Sequence, residues 1–105
     1  MQKGVTITDL AYHLGPLVES NQDLLADNPG WDLAAIEAAT GIMSRRIARA
    51  DQCASDLAFE AAEELFAKGR VHRSQVDALI FCTQSPDYLL PTTACLLQER
   101  LKLSS

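Results

Sequence analysis

"DALIFCTQSPDYLLPTTACLLQERL", residues 77–101, decides how the chain is read. Leu79, Ile80, Phe81 and Cys82 are consecutive apolar residues that lack the alternation of a half-buried strand. They predict a strand over Val76–Thr83 covered on both faces, as in a parallel sheet flanked by helices. Ser85-Pro86-Asp87 then turns the chain, and Pro91 introduces a helix running from Thr93 to Leu103. Cys95 falls in the first turn of that helix, where a thiol can be made nucleophilic. Activation needs a cationic or hydrogen-bonding partner besides the helix dipole. Arg100 is five residues further on and the nearest histidine in sequence is His72. Cys95 is therefore expected to be a packing residue, shielded by the sheet and by neighbours such as Leu79 and Phe81. Cys82 is expected in the core, and Cys53 in a loop.

Outward from this stretch, "SDLAFEAAEELFAK" (55–68) is the clearest helix. Ser55 suits its N-cap and Gly69 its C′ position. Leu57, Ala61 and Leu65 form one row at helical spacing, Ala58, Ala62 and Phe66 the next, and Glu60, Glu63 and Glu64 face water. Upstream, "GVTITDLAY" (4–12) alternates β-branched and polar residues and predicts a strand ended by Gly15-Pro16. A short helix carrying Leu24 and Leu25 follows Ser20 or Asn21, then a turn at Asp27-Asn28-Pro29-Gly30. A second short helix spans Asp32 to Ala39, with Leu33, Ile36 and Ala39 on one face and Gly41 placed to stop it. The order β, α, α, α, β, α is that of an α/β fold. Two strands make a thin sheet, and the sequence ends where an α/β protein normally supplies its next strand. The expectation is that this is the front portion of something larger.

At 105 residues the chain is one domain at most. Its net charge of −5 argues against a nucleic-acid partner. The deficit sits in residues 1–40, where Lys3 is the one base among six acids. Cysteines at 53, 82 and 95 are odd in number and lack CxxC spacing, which suits a reducing compartment. His13 and His72 lack a second ligand at metal spacing. No run approaches the ~20 apolar residues of a membrane span, and MQKGVTITDL lacks the apolar core of a signal peptide. A cytoplasmic location, without membrane association, is expected.

Three segments in register carry a resemblance. "TGIMSRRIA" (40–48), "SDLAFEAAEELFAKG" (55–69) and residues 77–101 resemble the start of the β-ketoacyl-acyl-carrier-protein synthase III family, across essentially the whole chain. The resemblance implies the N-terminal part of a thiolase-like layered α-β-α fold with a central, mostly parallel sheet, here residues 1–105. It implies an acyltransferase that condenses an acyl thioester with a malonyl thioester in fatty-acid or related polyketide synthesis. Acyl-coenzyme A and acyl carrier protein would be its partners, coenzyme A thioester its substrate, and the assembly a homodimer or a self-associating fragment. That family's nucleophile lies in an A-A-C-x-G context after the next strand, with a histidine and an asparagine from the second half of the fold. None of these lies in this sequence, so no catalytic residue is assigned here, and Cys95 belongs to the helix before.

Other positions carry over with alternatives open. Trp31 is the sole tryptophan for the family's adenine-stacking indole, although eight residues separate it from T-G-I and position 39 is alanine. It reads equally as a half-buried anchor of the 32–39 helix. Arg45 and Arg46 match the family's R-R pair, as phosphate or carrier-protein ligands or as a structural ion pair. Leu90 falls where the family reaches across its dimer into the partner's acyl pocket, or it anchors its own loop. Two function classes follow: part of an acyltransferase, or a non-catalytic thiolase-like module that binds a partner subunit or carrier protein. A stand-alone thiol enzyme using Cys95 is a third.

Overall fold

Local capping fixes where the helices begin and end. In the computed structural model, which describes residues 4–104, the element order is β1 (Leu17–Ser20), α1 (Asn21–Asp27), α2 (Leu33–Thr40), β2 (Ser44–Ile47), α3 (Ala54–Ala67) and α4 (Thr93–Arg100). A single 3-10 turn, Arg73–Gln75, lies between the last two. The chain divides into two units: Leu14–Asp51, and the segment ending at His13 together with the chain from Gln52 onward.

In the Leu14–Asp51 unit, β1 and β2 pair antiparallel, Leu17 opposite Ile47 and Ser20 opposite Ser44. Ser20 caps α1 in a capping box: its Oγ accepts from the Asp23 N–H at 3.2 Å, and the Asp23 carboxylate accepts from the Ser20 N–H at 2.8 Å. Asp32 caps α2 by accepting from the Ala35 N–H at 3.0 Å. Gly41, at φ 70°, ends α2 in the left-handed conformation that glycine takes without penalty. Gly15 is buried against β2, and a Cβ there would lie 2.5 Å from the Ile47 carbonyl oxygen. Leu33 is the large apolar side chain this unit buries.

In the other unit, α3 packs against α4, with Leu97 and Leu101 buried at its centre. Ala58, Ala61 and Ala62 of α3 are half-buried, as their spacing predicts. Lys68 donates to the Leu10 carbonyl and lies 3.5 Å from Asp9, while His13 Nδ1 lies 3.0 Å from Glu64. These contacts tie the N-terminal segment to α3. Arg73 bonds Glu63, donates to the Leu101 carbonyl at 3.0 Å and lies over the Phe66 ring at 4.7 Å.

Several expectations are corrected. Segments 4–12 and 76–83 form no paired strand among the described residues; Val5 and Ile80 are 102% and 93% exposed. A strand is made by its neighbour's hydrogen bonds, and apolar alternation alone provides none. The strands that do pair are only four residues each, and the sheet among the described residues is antiparallel rather than parallel. The first residue of α3 is Ala54, so its N-cap is Cys53 and not Ser55. The last helix ends at Arg100, short of Leu103, with Lys102 at φ 55°. No helix among the described residues is long and apolar enough to cross a membrane.

The caps give this fold a pH signature. A hydrogen bond from the Ser20 side chain holds the Asp23 carboxyl below the usual aspartate value of 3.8. The Cys53 N–H does the same for Asp56, against an opposing effect of burial, with Arg100 adding to it. A carboxylate whose pKa is lower folded than unfolded stabilises above its unfolded pKa and loses that contribution as pH falls through the folded value. Helicity by circular dichroism should therefore hold from about pH 6 to about pH 4 and fall below that. In Asp23→Asn and Asp56→Asn the fall should be shallower and start from a less stable protein.

Candidate functional site

The arginine pair sits on β2, and strand geometry sets what it can do. Consecutive strand residues point to opposite faces, so Arg45 and Arg46 cannot clamp one phosphate together. Arg45 turns to the β1–α1 junction. Its Nη2 donates to Asn21 Oδ1 at 2.6 Å, and its Nη1 lies 3.4 Å from both Glu19 Oε2 and the Ser20 carbonyl. Asn21 is buried and donates in turn to Glu37 at 3.0 Å and to the Ile42 carbonyl at 2.9 Å. Each of these buried polar atoms is thereby satisfied. Arg46 is exposed and its Nε donates to the Gly15 carbonyl at 2.7 Å. Trp31 follows the turn after α1, with its N–H bonded to the Asn28 carbonyl and half of its surface open to solvent.

In the other unit, Cys95 is exposed, as are Cys53 and Cys82. The shielding expected for Cys95 and Cys82 fails because the 76–83 segment is not a strand laid over α4. It leaves a cleft of about 280 Å³, lined by Leu79, Ala94, Cys95 and Gln98 among others. Thr92 Oγ1 lies 3.3 Å from Cys95 Sγ. A threonine hydroxyl is neither the base nor the cation that would generate a thiolate.

Leu90 is 81% exposed on the loop between Thr83 and α4, beside Leu89 at 95%, and the Leu90–Pro91 peptide is cis. The same loop carries Asp87, whose role the sequence does not reveal. Its carboxylate takes the Ser55 hydroxyl on Oδ2 and the Ser55 N–H on Oδ1, the latter at 3.3 Å. Arg100 Nη1 donates to Ser55 Oγ at 3.1 Å, Nη2 lies 2.9 Å from Asp56, and the guanidinium covers the Phe59 ring at 4.6 Å. Ser55 and Asp87 lie 32 residues apart, and no local motif in the sequence links them.

No protein-family model matches the chain. Three proteins named β-ketoacyl-acyl-carrier-protein synthase III are similar. That of Solibacter usitatus is 40% identical over 90% of this chain, that of Clostridium tetani 36% over 95%, and that of Rhodopirellula baltica 37% over 94%. The chain spans 28–29% of the length of these relatives. Among solved structures, a 3-oxoacyl-acyl-carrier-protein synthase III matches with a TM-score of 0.79 at 50% identity, over 94% of this chain and 29% of that one. The synthase III of Thermus thermophilus matches at 0.76 and 38% identity, over 90% and 29%. A variant of OleA from Xanthomonas campestris matches at 0.76 and 28%, over 93% and 32%. The fold is thus α/β and thiolase-like, and over nearly its whole length the chain is similar to β-ketoacyl-acyl-carrier-protein synthases III, of which it spans a little under a third.

Proposed function

We propose that this chain is the donor-binding and assembly portion of a cytoplasmic acyltransferase of fatty-acid or related polyketide synthesis. The reaction is the decarboxylative condensation of an acyl thioester with malonyl-acyl carrier protein. The observation that carries the reading is the kinship to synthases III over nearly all of the chain. In this reading Trp31 offers its indole face to the adenine of a coenzyme A thioester and Arg46 offers charge to its phosphates or to an acidic carrier protein. Arg45, held by Asn21 and Glu19, keeps the strand bearing Arg46 in register. Leu90 stands at the contact with a second copy and contributes to an acyl pocket there. The exposed apolar residues, among them Leu89 and Leu90, support self-association. The chain contributes no nucleophile of its own.

Titration with coenzyme A, read by fluorescence of the sole tryptophan, should show saturable quenching. Arg46→Ala should weaken the affinity about tenfold, the value of a charge-assisted hydrogen bond. Unchanged fluorescence up to millimolar coenzyme A would remove Trp31 from the site.

Malonyl-dependent release of CO₂ by the 105-residue chain should stay at the level of a blank, and release above it would show a nucleophile within this chain.

Labelling near neutral pH should modify Cys95 in the folded protein at a rate within about tenfold of Cys53 and Cys82, since all three thiols are exposed. A faster, stoichiometric reaction at Cys95 would mark it as activated.

A further inference from the structure

Ser55 is 2% exposed, at the second position of α3, yet its side chain does not cap its own helix. An alanine would fill that position with better helix propensity. The hydroxyl instead sits in a chain of hydrogen bonds, donating to Asp87 and accepting from Arg100, while Arg100 also pairs with Asp56. The Cys53 N-cap makes no side-chain bond to the helix. Asp87, 32 residues downstream, places its carboxylate at the α3 N-terminus in its stead and receives one of the N–H groups a helix leaves unpaired there. Arg100, in the last turn of α4, donates to the same hydroxyl.

Residues 87 and 100 therefore bracket the loop and the helix after it, and both end on Ser55. Between them Tyr88, Leu89 and Leu90 stand out in solvent. A loop presenting three large apolar side chains gains nothing from burial that would hold it there, and the hydrophobic effect favours its collapse onto the surface. Polar bonds at Asp87 oppose that collapse.

We propose that Ser55, Asp87 and Arg100 are positioning residues: they fix the 84–92 loop and thereby set where Leu90 stands. The consequence for Leu90 rests on the reading of that residue given under Proposed function. The fixing of the loop does not.

The test uses amide hydrogen exchange of the 105-residue chain, comparing Ser55→Ala, Asp87→Asn, Asp87→Ala and Arg100→Lys. Exchange in the loop should quicken about tenfold or more in Ser55→Ala and Asp87→Ala, while the middle of α3 keeps its protection. Asp87→Asn, which keeps one acceptor, should fall between the parent and Asp87→Ala. Arg100→Lys, which cannot bond Ser55 and Asp56 together as the forked guanidinium does, should also fall between. Unaltered loop exchange in Ser55→Ala and Asp87→Ala would overturn the proposal. So would a rise spread equally over α3, α4 and the loop in every variant, which would make the cluster a plain stability element.

A second measurement places a benzophenone amino acid at position 90 and reads crosslinking between copies. Crosslinking that is strong in the parent and falls by about half or more with Ser55→Ala supports the positioning of Leu90. Loop exchange that responds as expected, with no crosslink even in the parent, would leave the fixed loop established and sink the reading of Leu90.

Discussion

Scarcity of buried apolar surface is the constraint on which the rest of this structure depends. Leu33, Leu97 and Leu101 are the buried large apolar side chains among the described residues. So few contribute modestly to stability, because burial acts roughly in proportion to area. Directional polar contacts must therefore decide which segments meet. Asn21 gathers α1, α2 and β2 around one amide, and Ser55 gathers α3, the 84–92 loop and α4 around one hydroxyl. Each hub is a short, buried side chain with two charged partners. Low local dielectric strengthens such bonds, and it penalises equally any partner that is removed.

The division of charge follows from the same arrangement. The acids concentrated in the first part of the sequence are largely consumed locally: Glu19 on Arg45, Asp23 on the α1 cap, Asp32 on the α2 cap, Glu37 on Asn21. Net charge alone would describe this region as a repulsive surface. Its carboxylates instead complete helix ends and neutralise the one partly buried guanidinium of the unit, so the excess acts within the fold rather than on a partner.

What the sequence disclosed and what it concealed divide by range. The helices were legible because their signals are local: Ser20, Asp32 and Gly41 act within four residues of the ends they set. Strands were misread because pairing depends on residues far away. "GVTITDLAY" has the right alternation but no partner strand among the described residues, whereas Ser44–Ile47, with two arginines and no alternation, is paired by Leu17–Ser20. The site divides similarly. Trp31, Arg45, Arg46 and Leu90 could be picked out by motif. Asn21 and Asp87, which hold two of those neighbourhoods in place, carry no local mark. Cys95 illustrates the opposite error, since its helical position was read correctly and its burial was inferred from a strand that is not paired.

Gly15 carries a consequence for how this unit tolerates change. A side chain there would drive into the Ile47 backbone, at the end of the strand that bears Arg45 and Arg46. The carbonyl of the same residue holds the Arg46 guanidinium. One position thus governs both the spacing of the two strands and the aim of an arginine, and it does so through backbone atoms alone. Sequence drift in β1 can exchange Leu17 or Val18, which are exposed, without disturbing either property. Drift at position 15 alters both together, so diversity in a set of descendants or a combinatorial library should collapse at this position while its exposed neighbours vary.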